Sequence, residues 1–446
     1  MKKIFAAAVA LSFLTTAFAQ DNTAKMDSLL SLYNRIHRFN GTVLVARQGT
    51  VLLNKGYGYR NVADKVLNDR NSIFQLGSIT KQFTGALILK LQEERKLSTS
   101  DKISRYFPGF PKGDSITIQH LLTHTSGIFN YTNNRDFMNK QVSIPKSREE
   151  MMALFADKPL DFSPGSGWNY SNSGYSLLGY IIESVTGTSW ENAVRKYLFA
   201  PAQMTRSGFD FTHLNNANKT IGYFVLKQNE VSTAPIVDST VAFSAGAIYS
   251  TTGDLYRWHK ALQNNAVLSK SQQEMAYQPV KNRYGYGWVI DSLEGKRRVG
   301  HGGGIHGYVT NFSRIPEDDI CIILLSNASD KTVEDITAGI YGILYNKAYE
   351  LPVERKAIAL PADSLKQYEG EYEIKPGLKV LMSIKGNGLA VLPTGQSEKL
   401  ILPEKEDHFF DTEDDVQVVF TRNEEKQVNG FELLQKGRKL FCKKIK

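Results

Sequence analysis

Thiol chemistry is nearly absent from this 446-residue sequence, which holds two cysteines, Cys321 and Cys442. So few exclude four-cysteine zinc modules and disulfide scaffolds. Both stand in strand-like apolar runs, so they read as two buried free thiols, with a single bridge between them as the alternative. An excess of one charge is also missing. The net charge is +9 and the longest basic run is Lys296-Arg297-Arg298, too little for a nucleic-acid surface. No G-x-x-x-x-G-K-[ST] and no G-x-S-x-G occurs, which removes the P-loop and the α/β-hydrolase elbow. Gly302, Gly304 and Gly307 spell G-x-G-x-x-G, but they run into a strand pattern where a dinucleotide site needs a helix start. His120 and His124 are four apart, yet the glutamate of H-E-x-x-H is missing, so zinc is not expected there. Low-complexity tracts and 20–50-residue repeats are lacking as well. The composition, 41% hydrophobic and 22% charged, is that of an ordinary globular chain.

The start of the chain is different. Lys2 and Lys3 precede the apolar run Ile4–Leu14, and Ala17-Phe18-Ala19 follows as a cleavage signal. That run is too short to span a bilayer, and no later one is long enough. The expectation is a signal peptide over 1–19 and an exported, soluble product, periplasmic or extracellular.

From Asp21 to Phe39 an amphipathic helix is expected, then two strands, Thr42–Ala46 and Val51–Tyr57. Helices are expected from Gly77 to about Arg95, over Thr117–Thr123, over Gly174–Val185 and over Thr332–Tyr349. Strands are expected at Gly285–Asp291, Gly307–Ile315 and Ile320–Ser326, and those at the two ends should pair in one antiparallel sheet. This is an α+β body over 20–350, an antiparallel sheet flanked by helices with an all-helical part. Pro352 and Pro361 mark a linker over 351–362. Over 363–446, eight short alternating runs between Tyr368 and Ile445 predict a small antiparallel barrel.

Three short patterns carry chemistry. In Ser78-Ile79-Thr80-Lys81, residues i and i+3 share a helix face, so Lys81 stands one turn above Ser78. Ser78 at a helix start meets unpaired N–H groups and the positive dipole end, which favour a developing anion. Its hydroxyl becomes a nucleophile only when a base removes its proton, and Lys81 can do so only with a lowered pKa. Tyr170-Ser171-Asn172 follows a Gly/Ser-rich turn and precedes a helix, which can aim a phenol and an amide into a cleft. Gly300-His301-Gly302-Gly303-Gly304 lies ahead of a strand, and glycines on an edge let a ligand backbone approach. Taken singly, each reads as an ordinary helix start or turn.

In this order and spacing the three resemble the S-x-x-K, Y-x-N and K/H-x-G motifs of the β-lactamase and penicillin-binding-protein superfamily, in the branch near class C β-lactamases. Leu121-Leu122-Thr123-His124-Thr125-Ser126-Gly127, Ser244-Ala245-Gly246 and Tyr284-Gly285-Tyr286-Gly287-Trp288 add to the likeness, which covers about Met26 to Tyr349. The tail, opening with Tyr-x-Gly-x-Tyr at Tyr368, resembles the lipocalin-like barrel appended to some D-specific peptidases. The resemblance implies Ser78 as nucleophile, Lys81 and Tyr170 as shared general base, and Asn172 positioning the substrate amide. It implies oxyanion amides from Ser78 and Gly304, with His301 and Gly303 also at the substrate. It implies no metal or cofactor, and small peptide, amide or ester substrates, cell-wall fragments among them. His301 stands where β-lactamases usually carry Lys, which favours a D-peptidase or esterase over an efficient β-lactamase. Ala247 replaces the second glycine of the usual Ala-Gly-Gly. A non-catalytic sensor of cell-wall fragments or penicillin would be expected to have lost Ser78, Lys81 or Tyr170.

Overall fold

The computed structural model describes residues 21–446 except 228, 331, 412–415, 436 and 437. The expected signal peptide lies outside the described residues. The chain divides into two compact units, one ending at Leu351 and the other running from Pro352 to Lys446.

The first unit is built on a six-stranded antiparallel sheet. Its order is Thr50–Tyr57, Gly41–Arg47, Ile320–Ser326, Tyr308–Ile315, Lys296–Ile305, Val289–Leu293. The two ends of this unit do pair, Gly41 opposite Ser326 and Arg47 opposite Ile320. The strand Ile320–Ser326 is buried along its whole length. Its apolar run shows why: Cys321, Ile323 and Leu325 point into one core, and Ile320, Ile322 and Leu324 into a second. The second core is closed by the helix over 21–35 and by the helix Val333–Leu344. The first holds the helices Thr80–Glu93, Asn172–Thr186 and Thr252–Gln263.

Two stretches differ from their expected structure. The glycine-rich Gly300–Gly304 does run ahead of the strand Tyr308–Ile315, but it lies within a ten-residue strand of its own, Lys296–Ile305. Gly300 and Gly303 explain it, since a Cβ there would lie 2.6 Å from the Phe312 carbonyl oxygen or 2.0 Å from that of Leu76. Gly285–Trp288, expected as strand, is instead a tight turn packed on the helix Thr80–Glu93. There Gly287 has φ +83°, and a Cβ on it would meet the Lys81 carbonyl at 2.5 Å.

The second unit is a closed eight-stranded antiparallel barrel from Gly370 to Lys444, sealed by Tyr372 opposite Lys444 and Glu373 opposite Lys443. Tyr368, Tyr372, Phe409, Phe420 and Phe431 fill it. Within the stretch expected as linker, Ile358 N–H donates to the Pro403 carbonyl at 2.8 Å and Arg355 pairs with Glu404 at 2.9 Å. These bonds fasten part of that stretch to the barrel. Cys321 and Cys442 are both buried and free.

Candidate active site

Gly77–Ile79 forms a short 3₁₀ turn that leads directly into the helix Thr80–Glu93. Gly77 sits at φ +56° so close to the last residues of the glycine-rich strand that a Cβ would be 2.9 Å from the Gly304 carbonyl oxygen. Glycine at this point therefore lets the Ser78 turn and the strand touch. One helical turn on, Lys81 is fully buried.

The Lys81 Nζ lies 3.0 Å from Ser78 Oγ, 2.8 Å from Asn172 Oδ1 and 2.9 Å from the Ala245 carbonyl oxygen. Burial holds its pKa well below the ordinary 10.5. A neutral amine donates two hydrogens. Asn172 Oδ1 and the Ala245 carbonyl only accept, so they take both, and the lone pair is left facing the Ser78 hydroxyl. The Ala245 carbonyl is presented by a strained chain: Phe243, at φ 37° and ψ −139°, interrupts the helix Ser239–Gly246. Thr84 Oγ1 donates to the Ser244 carbonyl at 2.7 Å and Ser244 Oγ to the Tyr175 carbonyl at 2.9 Å, which hold that kink.

Tyr170 Oη donates to Ser78 Oγ at 2.7 Å. Burial pushes this phenol above its ordinary pKa of 10, more than the Ser78 bond lowers it, so it stays protonated. Asn172 stands on the first turn of its helix. Sequence reasoning gave its amide to the substrate. In the structure its Oδ1 holds Lys81 and its Nδ2 donates to Thr132 Oγ1 at 3.2 Å.

His301 is brought near, its ring 6.4 Å from that of Tyr170, centroid to centroid. Its Nδ1 lies 2.5 Å from the Gly302 carbonyl oxygen and its Nε2 2.8 Å from Tyr284 Oη. The carbonyl can only accept, so Nδ1 carries the proton and Nε2 accepts from Tyr284. Burial pushes its pKa down to about 4. It lines a neighbouring cavity of about 440 Å³ rather than the one that holds Ser78. Gly303 is pressed against Leu76, while Gly304 has open space beside it and lines the Ser78 cleft.

His124 was weighed only as a zinc ligand with His120 and as part of a family phrase, and its place was not foreseen. It is buried, sits at φ +60°, and lies 4.2 Å from the Tyr170 ring, centroid to centroid. Its Nδ1 accepts from Ser171 N–H at 3.1 Å, which ties it to the backbone between Tyr170 and Asn172. His120 Nδ1 instead accepts from Thr117 N–H in a helix cap, so the two histidines serve separate local structures.

Comparison with known proteins supplies the family. Residues 23–346 match the family described as Beta-lactamase, and residues 354–443 a domain of unknown function, DUF3471. The chain is 31% identical over 431 residues to "Penicillin-binding protein 4*" of Bacillus subtilis, covering 91% of this chain and 95% of that one. It is similar to the octameric penicillin-binding protein homologue from Pyrococcus abyssi (27% identity, TM-score 0.68, 94% of this chain and 99% of that chain). The fold is shared with a D-amino acid amidase from Ochrobactrum anthropi (20% identity, TM-score 0.64, 73% and 99% covered). The match over 23–346 takes in the sheet, the Ser78 turn and the glycine-rich strand alike, and the chain belongs to the β-lactamase family of serine hydrolases.

Proposed function

We propose that the protein is an exported hydrolase that forms an acyl-enzyme on Ser78 and cleaves amides or peptides with a D-residue at the scissile bond. The observation that carries this is Lys81, buried and held by two carbonyl oxygens with its Nζ 3.0 Å from the Ser78 hydroxyl. Ser78 Oγ attacks the acyl carbon as its proton passes to Lys81. When the bond to the leaving nitrogen breaks, Tyr170 gives that nitrogen its proton and regains one from Lys81. Water then attacks the acyl carbon, losing a proton through Tyr170, and Ser78 is released with its own proton restored. The N–H groups of Ser78 and Gly304 are the oxyanion donors in this reading. His124 positions Tyr170. Penicillin-binding relatives and the D-amino acid amidase of like fold support the choice of D-amides and cell-wall-like peptides. Export rests on Lys2, Lys3, Ile4–Leu14 and Ala17-Phe18-Ala19.

A second reading, an esterase, is favoured by His301, which is neutral and offers no fixed cation for a substrate carboxylate. Turnover of D- and L-alaninamide beside p-nitrophenyl acetate tests the choice. D-amide hydrolysis exceeding that of the L-amide by about tenfold or more is expected. Ester hydrolysis with neither amide cleaved would leave the esterase.

A further inference from the structure

The cleft beside Ser78 is a cavity of about 400 Å³ whose walls are apolar. Met138, Phe224, Val237, Val241, Ala242 and Ile305 line it, and they come from four separate stretches of the chain. Two tyrosines also face it, with their hydroxyls already spent. Tyr131 Oη donates to the Val241 carbonyl at 2.9 Å and Tyr308 Oη to the Thr220 carbonyl at 2.8 Å. Both therefore present rings and not phenols. Among the described residues lining this cavity there is no Asp, Glu, Lys or Arg. Phe224, 44% exposed, forms the rim and packs on the His306 ring at 5.3 Å. Polar groups, Ser78, Thr132, Asn172, His306 and Ser329, also line it.

Which half of a substrate would enter follows from Tyr170, which donates to Ser78 Oγ but does not line this cavity. A group that protonates the leaving atom must stand on the leaving-group side. The cavity takes in Ser78 and Gly304 but not Tyr170, which assigns the acyl portion to it. Resting on the reading of Ser78 and Tyr170 given above, we infer that this cavity is an acyl subsite selecting an uncharged, apolar side chain of several carbons. An anionic acyl group would lose its hydration there without a Lys or Arg among the described lining residues, at a cost that apolar contact does not offset. An apolar one leaves water for a wall already shaped to it.

The experiment uses the full chain and p-nitrophenyl esters of acetate, butyrate, hexanoate and phenylacetate, with the mono-ester of succinate as the charged member. The kcat/KM should rise about 10–200-fold from acetate to hexanoate or phenylacetate, and succinate should fall below butyrate. Phe224→Ala, at an exposed rim where folding is not at stake, should shrink that rise. Ala242→Phe should fill the cavity and bring the best substrate back toward acetate. A flat series that still depends on Ser78, a preference for succinate, or a rise unchanged in Phe224→Ala would overturn the subsite alone. Turnover that persists in Ser78→Ala, or no turnover of any ester, would overturn the acyl-enzyme reading and the subsite with it.

Discussion

The two units obey folding rules to different degrees. The barrel interior is Tyr368, Tyr372, Phe409, Phe420 and Phe431 with aliphatic neighbours, on strands whose side chains alternate in and out. The tyrosine hydroxyls there are satisfied, Tyr368 by Asp407 at 2.8 Å and Tyr372 by the Tyr368 carbonyl at 2.8 Å. The first unit is as well packed, but around Ser78 it breaks rules: a buried lysine, Phe243 in a strained conformation, His124 with a positive φ and an unpartnered buried Nε2. Each costs stability, and each surrounds the same serine. Local violations that converge on one group mark where a fold gives up stability for chemistry.

The contrast can be tested by breaking each side. Ser78→Ala should cost on the order of 10⁶ in kcat and leave the melting temperature nearly unchanged, as read by turnover and calorimetry. Tyr170→Phe should cost about 10²–10⁴, the range for acid–base groups. The pH profile of kcat/KM sharpens the role of Lys81. A depressed pKa means that activity is lost as pH falls through it, since the protonated amine cannot take the Ser78 proton. That acid limb should lie well below 10.5. On the barrel side, Phe420→Ala should cost about 3–5 kcal/mol of the barrel's unfolding free energy while Ser78 acylates at the wild-type rate. A matching loss of acylation would mean that the barrel contributes to the site. The smallest effect is expected at His301. Its pKa is already near 4, so His301→Gln should move no limb between pH 5 and 8.

Much of this could be read from residues. The eight strand runs of the tail became the eight barrel strands, because alternation over short segments reflects one buried face. Ser78, Lys81, Tyr170 and Asn172 meet within hydrogen-bonding distance, as the order of their motifs implied. What could not be read is which partner each polar atom takes. Asn172 spends its carbonyl on Lys81, and His301 Nε2 takes Tyr284, seventeen residues earlier in the chain. The strand through Gly300–Gly304 was hidden because glycine has low strand propensity, and only the close approach of Leu76 and Phe312 explains it. The role of His124 depends on a ring contact with Tyr170 across 46 residues, which no local pattern records.

The most direct test of the account is the intact mass of the protein, followed by peptide mapping, after brief exposure to benzylpenicillin and to p-nitrophenyl hexanoate, with Ser78→Ala alongside. The account predicts a single acyl adduct on the peptide containing Ser78 in the wild type and none in the variant. An adduct on another residue, or one that forms equally in Ser78→Ala, would contradict it.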